Sequence, residues 1–315
     1  MHYLKACVLT IIVFLFLPFA AAANEPLVHR VEAGESLFSV AQKYHISMDE
    51  LLKENSYIRF PELIYPNQLL VIPEFSKSDA LSGLPPTINT TGETKPQSSI
   101  NQLLRTYSNH FHLSSPPAGN MVALTFDDGP DGVYTGMVLD VLKAYDVPAT
   151  FFLIGQNVQK YPEVVQRIVG EGHVIGNHTW SHPRLTEIAA NEIADQIVKT
   201  EDMLEAVTKL RTRLMRPPYG AVNLDILEQL IELDYSIINW SVDSVDWRDQ
   251  DVDLILINTL PHVRDGAIML FHTARGIGHN PTATAYALPE LIETLRKQGY
   301  NFVTVDKLLN IPPYR

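Results

Sequence analysis

Residues 121–132, MVALTFDDGPDG, place two adjacent aspartates directly after a run of apolar residues. Like charges at neighbouring positions repel, so Asp127 and Asp128 together cost stability unless a cationic group neutralises them. A tight turn accounts for one aspartate before Gly129-Pro130, because Asp and Gly suit turns, but it leaves the second unexplained. The apolar run is typical of a strand, so this segment predicts a strand that ends in two carboxylates.

Short apolar runs of the same kind alternate with helical patterns from here to the end of the chain. The seven runs are Met121–Phe126, Thr150–Ile154, Val174–Ile175, Leu214–Met215, Ser236–Ser241, Ala267–Phe271 and Phe302–Val305. The helical patterns between them are Gly136–Tyr145, Val158–Glu171, Leu185–Leu210, Leu224–Leu233 and Leu288–Gln298. Strands that alternate with helices form right-handed crossovers and a parallel sheet. Seven such units predict an α/β barrel that is one unit short of the usual eight.

Polar residues follow five of these seven runs. They are Asp127-Asp128, NHTWSHP at Asn177–Pro183, RPPYG at Arg216–Gly220, VDSVDW at Val242–Trp247, and His272. In a (β/α) barrel the carboxyl ends of the strands share one face, and catalytic groups collect on that face. The five polar segments are therefore expected to converge on one functional site.

Three of these side chains form a candidate metal site. His178 and His182 are four residues apart in a loop that Pro183 closes, and Asp128 adds an oxygen ligand. Two nitrogens and one oxygen leave coordination positions open, and zinc accepts this set best, although Co²⁺, Ni²⁺ and Mn²⁺ suit the same ligand types. A divalent cation would neutralise Asp128 and leave Asp127 unbound beside it. Two unrelated histidines are the alternative interpretation.

A cation with open positions activates water and polarises a carbonyl, which calls for a base and an acid nearby. Asp127 is the expected general base. Arg216 is expected to orient it through a bidentate contact, with a purely structural salt bridge as the alternative. His272 is the expected proton donor to a leaving amine, and Asp246 is expected to hold its other ring nitrogen and raise its pKa.

Four further residues in the same segments have less specific expectations. The backbone N–H of Tyr219 is the expected oxyanion donor. Trp247 and Leu270 are core residues by base rate, and the alternative is that they wall a pocket for a small acyl methyl group. Asp243 is expected to cap its own loop rather than take part in the chemistry.

Residues 1–23 have the pattern of a secretory signal, namely Lys5, the apolar run Ala6–Phe19 and the small residues Ala21–Ala23. We expect cleavage before Asn24 and no stable membrane span afterwards, because the apolar run is short and Pro18 interrupts it. An uncleaved anchor is the alternative. The only cysteine, Cys7, lies in this segment. A mature chain without cysteine forms no disulfides, which suits a secreted bacterial cell-surface protein.

The formal net charge of the 315-residue chain is −12. Binding to nucleic acid depends on basic surface that neutralises phosphates, so this charge argues against a nucleic-acid partner. A neutral ligand such as a glycan fits the composition better.

Residues 28–73 read as a small βααβ domain. Its predicted elements are a strand at His29–Val31, a helix after the cap Ser36, a helix at Met48–Glu54 after the cap Ser47, and a strand at Leu69–Ile72. It resembles the lysin motif (LysM) at Val31, Gly34, Ser36-Leu37, Val40-Ala41, Asn55, Pro66–Leu69 and Ile72-Pro73. Glu35 and Asn67 replace the more usual Asp and Gly. The resemblance implies binding to glycans that contain N-acetylglucosamine, and a structural spacer is the alternative.

Residues 74–118 are rich in Ser, Thr, Pro and Gly, which is typical of a linker. Within them, Ile100–Tyr107 is amphipathic and predicts a helix that docks on the next domain. We place that larger domain at residues 119–310.

The motifs of the larger domain resemble, in order, those of the polysaccharide deacetylase family, also called carbohydrate esterase family four or the NodB homology domain. The matching segments are Thr125–Pro130, His178–Pro183, Arg216–Gly220, Asp243–Trp247 and Leu270–His272. The resemblance implies a distorted (β/α)7 barrel and metal-dependent removal of N-acetyl groups from polymeric N-acetylglucosamine. It also implies the roles expected above, with Asp127 as base, Asp128, His178 and His182 as metal ligands, Arg216 orienting the base, and Asp246 tuning the acid His272.

The expected function is therefore that of a secreted deacetylase that acts on a bacterial cell wall. Peptidoglycan is the first choice of substrate and chitin or its oligomers the second, with N-acetylmuramic acid and xylan as further options. The alternative from another class is a glycan-binding surface protein with a silent catalytic domain. Such a protein is expected to lack a ligand or the base, and none is missing from this sequence.

Overall fold

The computed structural model describes residues 27–31, 37–44, 46, 48–55, 58, 64, 68–73, 100–274 and 281–315. Several expectations lie outside these residues, namely the signal at 1–23, the caps Ser36 and Ser47, the turn at Gly34, the segment Pro66-Asn67, and the linker up to residue 99. Among the helices of the described segments, none combines the length and the apolar character that a membrane crossing requires.

The small N-terminal domain has the predicted βααβ order. Its elements are β1 (Leu27–Arg30), α1 (Leu37–Lys43), α2 (Met48–Glu54) and β2 (Leu69–Ile72), and the two strands pair antiparallel. Buried apolar side chains of α1, α2 and β2 form one core together with Val31, which directly follows β1, and Ile58. Asn55 lies in this core, fully buried, and its amide bonds to the backbone of Leu51 and Val71.

The larger domain alternates strands and helices as predicted. Its elements in chain order are α3 (Ile100–Thr106), β3 (Phe111–His112), β4 (Met121–Asp127), α4 (Tyr134–Ala144), β5 (Thr150–Leu153), α5 (Gly155–Lys160), α6 (Pro162–Gly170), β6 (Val174–Asn177), α7 (Ala190–Thr208), β7 (Leu214–Met215), α8 (Leu224–Glu232), β8 (Ser236–Ile238), β9 (Val242–Asp243), α9 (Val252–Thr259), β10 (Ile268–His272), α10 (Thr282–Lys297), β11 (Asn301–Phe302) and α11 (Val305–Leu309).

The strands form one curled sheet in the order β3-β8-β7-β6-β5-β4-β10-β9, with β11 added beside β4. Every pair in this sheet is parallel. Each of the seven predicted apolar runs overlaps one of these strands, and the distorted (β/α)7 barrel is confirmed. Since all strands run the same way, their carboxyl ends lie at the same edge of the sheet.

Successive side chains along the strands alternate between the apolar layer under the outer helices and the interior of the barrel. On β4, Val122, Leu124 and Phe126 pack with the outer helices in one apolar cluster, whereas Ala123 belongs to the cluster inside the barrel. Successive side chains of a strand point to opposite faces. Thr125 and Asp127 therefore share the interior face with Ala123, which directs the first of the two aspartates inward.

The structure differs from the linker expectation near residue 100. The predicted helix is present as α3, and Leu103 is buried with Phe111 in a cluster that also contains Ile237. Phe111 belongs to β3, which the sequence analysis did not predict and which pairs with β8. Two residues are too short for a recognisable alternating pattern, so composition alone assigned this segment to the linker.

Four helical or strand boundaries also differ. The predicted helix 158–171 is two helices, because Pro162 lies in the first turn of α6, where its missing N–H costs nothing. The pattern 185–210 begins with a 3₁₀ turn before α7. The strand predicted at 236–241 ends at Ile238 as β8, and the separate strand β9 begins at Val242. The last strand ends at Phe302, and Val305 begins α11.

Candidate functional site

The predicted convergence of polar residues occurs at the carboxyl edge of the sheet. Asp127 ends β4, and its neighbour in the register on β10 is His272. Asn177 ends β6 and pairs with Met215 on β7, so that His178 and Arg216 follow at the same level. The base, acid, arginine and histidines expected from the sequence thus lie together at one edge.

Asp128, His178 and His182 form the cluster expected for a metal site, with one ligand atom of each residue within 4.8 Å of the others. The distance from Asp128 Oδ1 is 3.5 Å to His178 Nε2 and 3.3 Å to His182 Nε2. Two ligands about 2.1 Å from one cation at a tetrahedral angle are about 3.4 Å apart, so the spacing fits a transition metal. Among the described residues, the buried Asp128 Oδ1 has no hydrogen-bond partner, which also fits a cation ligand.

Both histidines are held with a ring nitrogen facing Asp128. The Nδ1 atom of His178 lies 2.7 Å from the carbonyl oxygen of Arg216. Because a carbonyl only accepts, Nδ1 of His178 carries the hydrogen, and Nε2 is the nitrogen that faces Asp128. Burial and the neighbouring His178 lower the pKa of His182 to about 4, so the His182 ring is neutral near pH 7. Burial opposes ionisation of Asp128, but the surrounding imidazoles hold its pKa well below the usual range.

Left-handed backbone conformations concentrate at this edge. Asp128, Thr179, His182 and Tyr219 have φ angles of 70°, 67°, 61° and 63°. Non-glycine residues rarely adopt such angles. Each such conformation costs on the order of 1 kcal/mol or more, and it persists only where the surrounding structure imposes it. The ligand loops are therefore held in place by their packing and hydrogen bonds rather than by intrinsic preference.

Arg216 contacts Asp127, but not in the bidentate geometry expected from the sequence. Only Nη1 reaches the carboxylate, at 2.7 Å from Oδ1, and the same nitrogen donates to Thr125 Oγ1 at 2.8 Å. The other donors bind the backbone, with Nε on the carbonyl of Ile238 and Nη2 on that of Asn239. The bidentate prediction is wrong because Nε and Nη2 point to these carbonyls instead of the carboxylate.

The position of Arg216 is also fixed by burial. Its side chain is fully buried, and the guanidinium lies 4.2 Å from the ring centroid of Phe152 and 5.5 Å from that of Trp240. A buried guanidinium requires a paired carboxylate and satisfied donors, and Asp127 with the two carbonyls provides them. The contact therefore fixes the direction of the Asp127 side chain.

His272 and Asp246 form a second buried ion pair beside Asp127. Nδ1 of His272 lies 2.7 Å from Asp246 Oδ1, and the backbone N–H of His272 donates to Oδ2. Thr284, in the first turn of α10, donates its hydroxyl to the same Oδ2 at 2.7 Å. Burial opposes the charge on His272, but Asp246 outweighs it and, with Asp128 and Asp127, raises the pKa of His272 to about 10. The ring is protonated at neutral pH.

Replacing Asp246 by Asn is expected to lower the pKa of His272 markedly from about 10. The amide removes the charge that raises this pKa most, so only Asp128 and Asp127 still oppose the effect of burial. NMR titration of the His272 ring in the metal-free protein measures this change. Asp249→Asn is the control, because Asp249 pairs with Arg248 and Asn258 instead. An unchanged His272 pKa in Asp246→Asn would contradict the assignment.

The remaining predicted residues have the following positions. The ring of Tyr219 lies edge-on to His182 at 4.7 Å between centroids. Leu270 is 3% exposed and belongs to the apolar cluster inside the barrel. Trp247 is half-buried in the loop after β9. Asp243 caps that loop as expected, accepting the N–H of Val245 at 2.8 Å. The oxyanion and methyl-pocket roles of Tyr219, Trp247 and Leu270 stay predictions.

Sequence reasoning missed three polar residues that support these groups. Thr125 shares Nη1 of Arg216 with Asp127, and strand alternation two residues before Asp127 was the available signal. Asn177 accepts the backbone N–H of Thr179, which lies in the loop between the two histidines. Its position directly before His178 was a weaker signal. Thr284 is distant in sequence from every motif, and nothing local indicates its contact with Asp246.

Comparisons with known proteins identify the same two families that the sequence motifs resemble. The sequence profile described as "Polysaccharide deacetylase" matches residues 114–238, and the profile "LysM domain" matches residues 29–73. The first match ends before the segment that carries Asp246 and His272. These two positions are assigned by the contacts described above.

Relatives and solved structures extend the similarity. A Bacillus cereus protein named peptidoglycan-N-acetylglucosamine deacetylase is 42% identical over 198 residues, which are 63% of this chain and 71% of the relative. PdaC of Bacillus subtilis, named a peptidoglycan-N-acetylmuramic acid deacetylase, is 39% identical over 199 residues. The match spans only 41% of PdaC. The crystal structure of the Bc1960 peptidoglycan N-acetylglucosamine deacetylase superimposes with a TM-score of 0.65 at 38% identity, covering 68% of this chain and 98% of that one.

Proposed function

Because this chain belongs to the polysaccharide deacetylase family, we propose that it is a secreted, metal-dependent hydrolase that removes the N-acetyl groups of N-acetylglucosamine residues in peptidoglycan. One observation carries the proposal. A carboxylate held by a buried arginine, Asp127, lies between an Asp-His-His cluster and a protonated histidine, His272. Amide hydrolysis needs this combination of base, cation site and acid.

Asp127 and His272 carry out the two proton transfers of the reaction. Asp127 accepts a proton from the attacking water, and Arg216 keeps its carboxylate aimed at the site. His272 gives its proton to the leaving nitrogen, since Asp246 keeps the ring protonated until that step. Water and the acetamide become acetate and a free amine on the sugar. The backbone N–H of Tyr219 is the proposed donor to the oxyanion, and Trp247 and Leu270 are proposed to enclose the acetyl methyl group.

Asp128, His178 and His182 are proposed to hold one divalent cation, most suitably Zn²⁺ by ligand type, with Co²⁺, Ni²⁺ and Mn²⁺ as alternatives. When bound, the cation polarises the acetamide carbonyl and increases the acidity of water. The chain contributes the ligand spacing and, through the bond from His178 Nδ1 to the carbonyl of Arg216, the orientation of the first histidine.

Peptidoglycan is proposed as the substrate on three grounds. The relatives named above act on it, the N-terminal domain matches the LysM profile, and residues 1–23 have a signal pattern that fits export to the cell wall. A tethered LysM domain increases the local concentration of the barrel on its polymer. Domain limits at 28–73 and 119–310 belong to this proposal, with the helix α3 and strand β3 added to the second domain.

The test is acetate release from N-acetylated peptidoglycan by the purified, zinc-loaded chain. We expect release that a chelator abolishes and added zinc restores, and mass spectrometry of muropeptides from the product should locate the lost acetyl group on N-acetylglucosamine. Chitin oligomers in parallel reactions test the competing polymer. Loss from N-acetylmuramic acid instead would contradict the proposed target sugar. No acetate with any of the four metals would contradict the enzymatic function and favour a binding protein.

A further inference from the structure

Asn177, the last residue of β6, is fully buried and uses both ends of its side-chain amide. Nδ2 donates to the carbonyl of Ile197 on α7 at 2.9 Å and to the hydroxyl of Tyr235 at 3.2 Å. Oδ1 accepts the backbone N–H of Thr179 at 2.9 Å. This amide has one orientation, because flipping it would place its oxygen against the carbonyl of Ile197 and its NH₂ group against the N–H of Thr179.

The bond to Thr179 leads directly into the loop of the metal ligands. Thr179 has a left-handed φ of 67°, which a β-branched residue adopts only under constraint. Its hydroxyl oxygen accepts the backbone N–H of His182 at 3.1 Å. Asn177 therefore fixes Thr179, and Thr179 fixes His182, along a continuous path of hydrogen bonds.

A second path runs through the backbone of Asn177 to the other histidine. The carbonyl of Asn177 accepts the N–H of Arg216 at 3.0 Å. The carbonyl of Arg216 in turn accepts Nδ1–H of His178 at 2.7 Å. One residue thus connects to both histidines, while it lies outside the ligand set itself.

Tyr235, which accepts a hydrogen bond from Asn177, is itself held in a fixed position. Tyr235 is 2% exposed, and the guanidinium of Arg315 lies 4.8 Å from its ring centroid. Arg315 is fixed by the buried Glu201, which accepts its Nε at 3.1 Å. Burial and the Glu201 carboxylate raise the pKa of Tyr235 well above its usual range, so its hydroxyl stays neutral. The side-chain amide of Asn177 therefore donates to a buried, fixed hydroxyl group rather than to solvent.

We propose that Asn177, braced by Tyr235, is a positioning residue of the metal centre that sets the distance and direction between His178 and His182. The inference rests on the proposed function only in taking these histidines as metal ligands. Outer partners of metal-binding histidines typically account for about 10- to 100-fold in metal affinity. A purely structural asparagine would change the stability of the fold without changing affinity in the folded protein.

The test compares zinc dissociation constants of the full chain by competition with a chromophoric chelator. Asn177→Ala is expected to raise the dissociation constant about 10- to 100-fold. Tyr235→Phe is expected to raise it by a smaller factor, because Ile197 still accepts from Asn177. Asn55→Ala is the matched control, since Asn55 is equally buried and bonds two carbonyls and one backbone N–H in the other domain. It is expected to leave zinc affinity unchanged.

The outcomes separate this inference from the proposed function. A parent chain that binds no zinc would contradict both. A parent that binds zinc, with a folded Asn177→Ala variant that binds it equally well, would overturn the inference alone. If Asn177→Ala does not fold, the Tyr235→Phe variant provides the test. A zinc dissociation constant equal to that of the parent in this variant would overturn the inference.

Discussion

Asp127→Asn is expected to reduce the turnover number about 10²- to 10⁴-fold, the usual contribution of a general base. The amide oxygen can still accept from Nη1 of Arg216, so the side chain keeps its direction. It cannot take a proton from water. The change also leaves the buried guanidinium without its carboxylate, and we expect a lower melting temperature for that reason. Acetate release below the melting transition gives the turnover number.

The matched control for this variant is Asp140→Asn. Asp140 also pairs with an arginine, at 2.6 Å from Nη2 of Arg167, but its side chain is 72% exposed on α4. Exposed ion pairs contribute little to stability, so this variant should match the parent in both stability and turnover. An Asp127→Asn variant with the parent's turnover would contradict the role of Asp127 as base.

His182→Ala is expected to remove both zinc binding and activity. It deletes one of three ligands, and we expect the zinc dissociation constant to rise more than about 100-fold, since even outer-shell partners account for 10- to 100-fold. Zinc content after dialysis and acetate release measure the two effects. His110→Ala is the control, because His110 is exposed before β3. Activity in His182→Ala at saturating zinc close to that of the parent would contradict its role as a ligand.

The sequence predicted the barrel because its evidence is local and repeated. Each strand run is bounded by a helical pattern, and parallel strands bring their ends to one edge whatever the details of the loops. Helix α9 was missed because VDLILINT at 252–259 is apolar almost throughout and shows no helical period. The cap Asp251, which accepts the N–H of Leu254, was the overlooked signal.

Which residues gather at the candidate site was predictable, but their contacts were not. The spacing of His178 and His182 and the paired aspartates are visible in the sequence, since ligand type and spacing carry the chemistry. The single contact of Arg216 to Asp127 depends on which carbonyls compete for the guanidinium, and these come from β8 and its following residue. The bond from Thr284 to Asp246 likewise depends on how α10 packs against β9 and β10.

The proposed mechanism requires one cation bound by Asp128, His178 and His182, with Asp127 outside its ligand set. Measuring the zinc dissociation constant of Asp127→Asn beside that of His182→Ala tests this most directly. The structure predicts that Asp127→Asn stays within about tenfold of the parent, the lower limit for an outer partner, while His182→Ala rises far more. Equal losses in the two variants would make Asp127 a ligand and contradict the account.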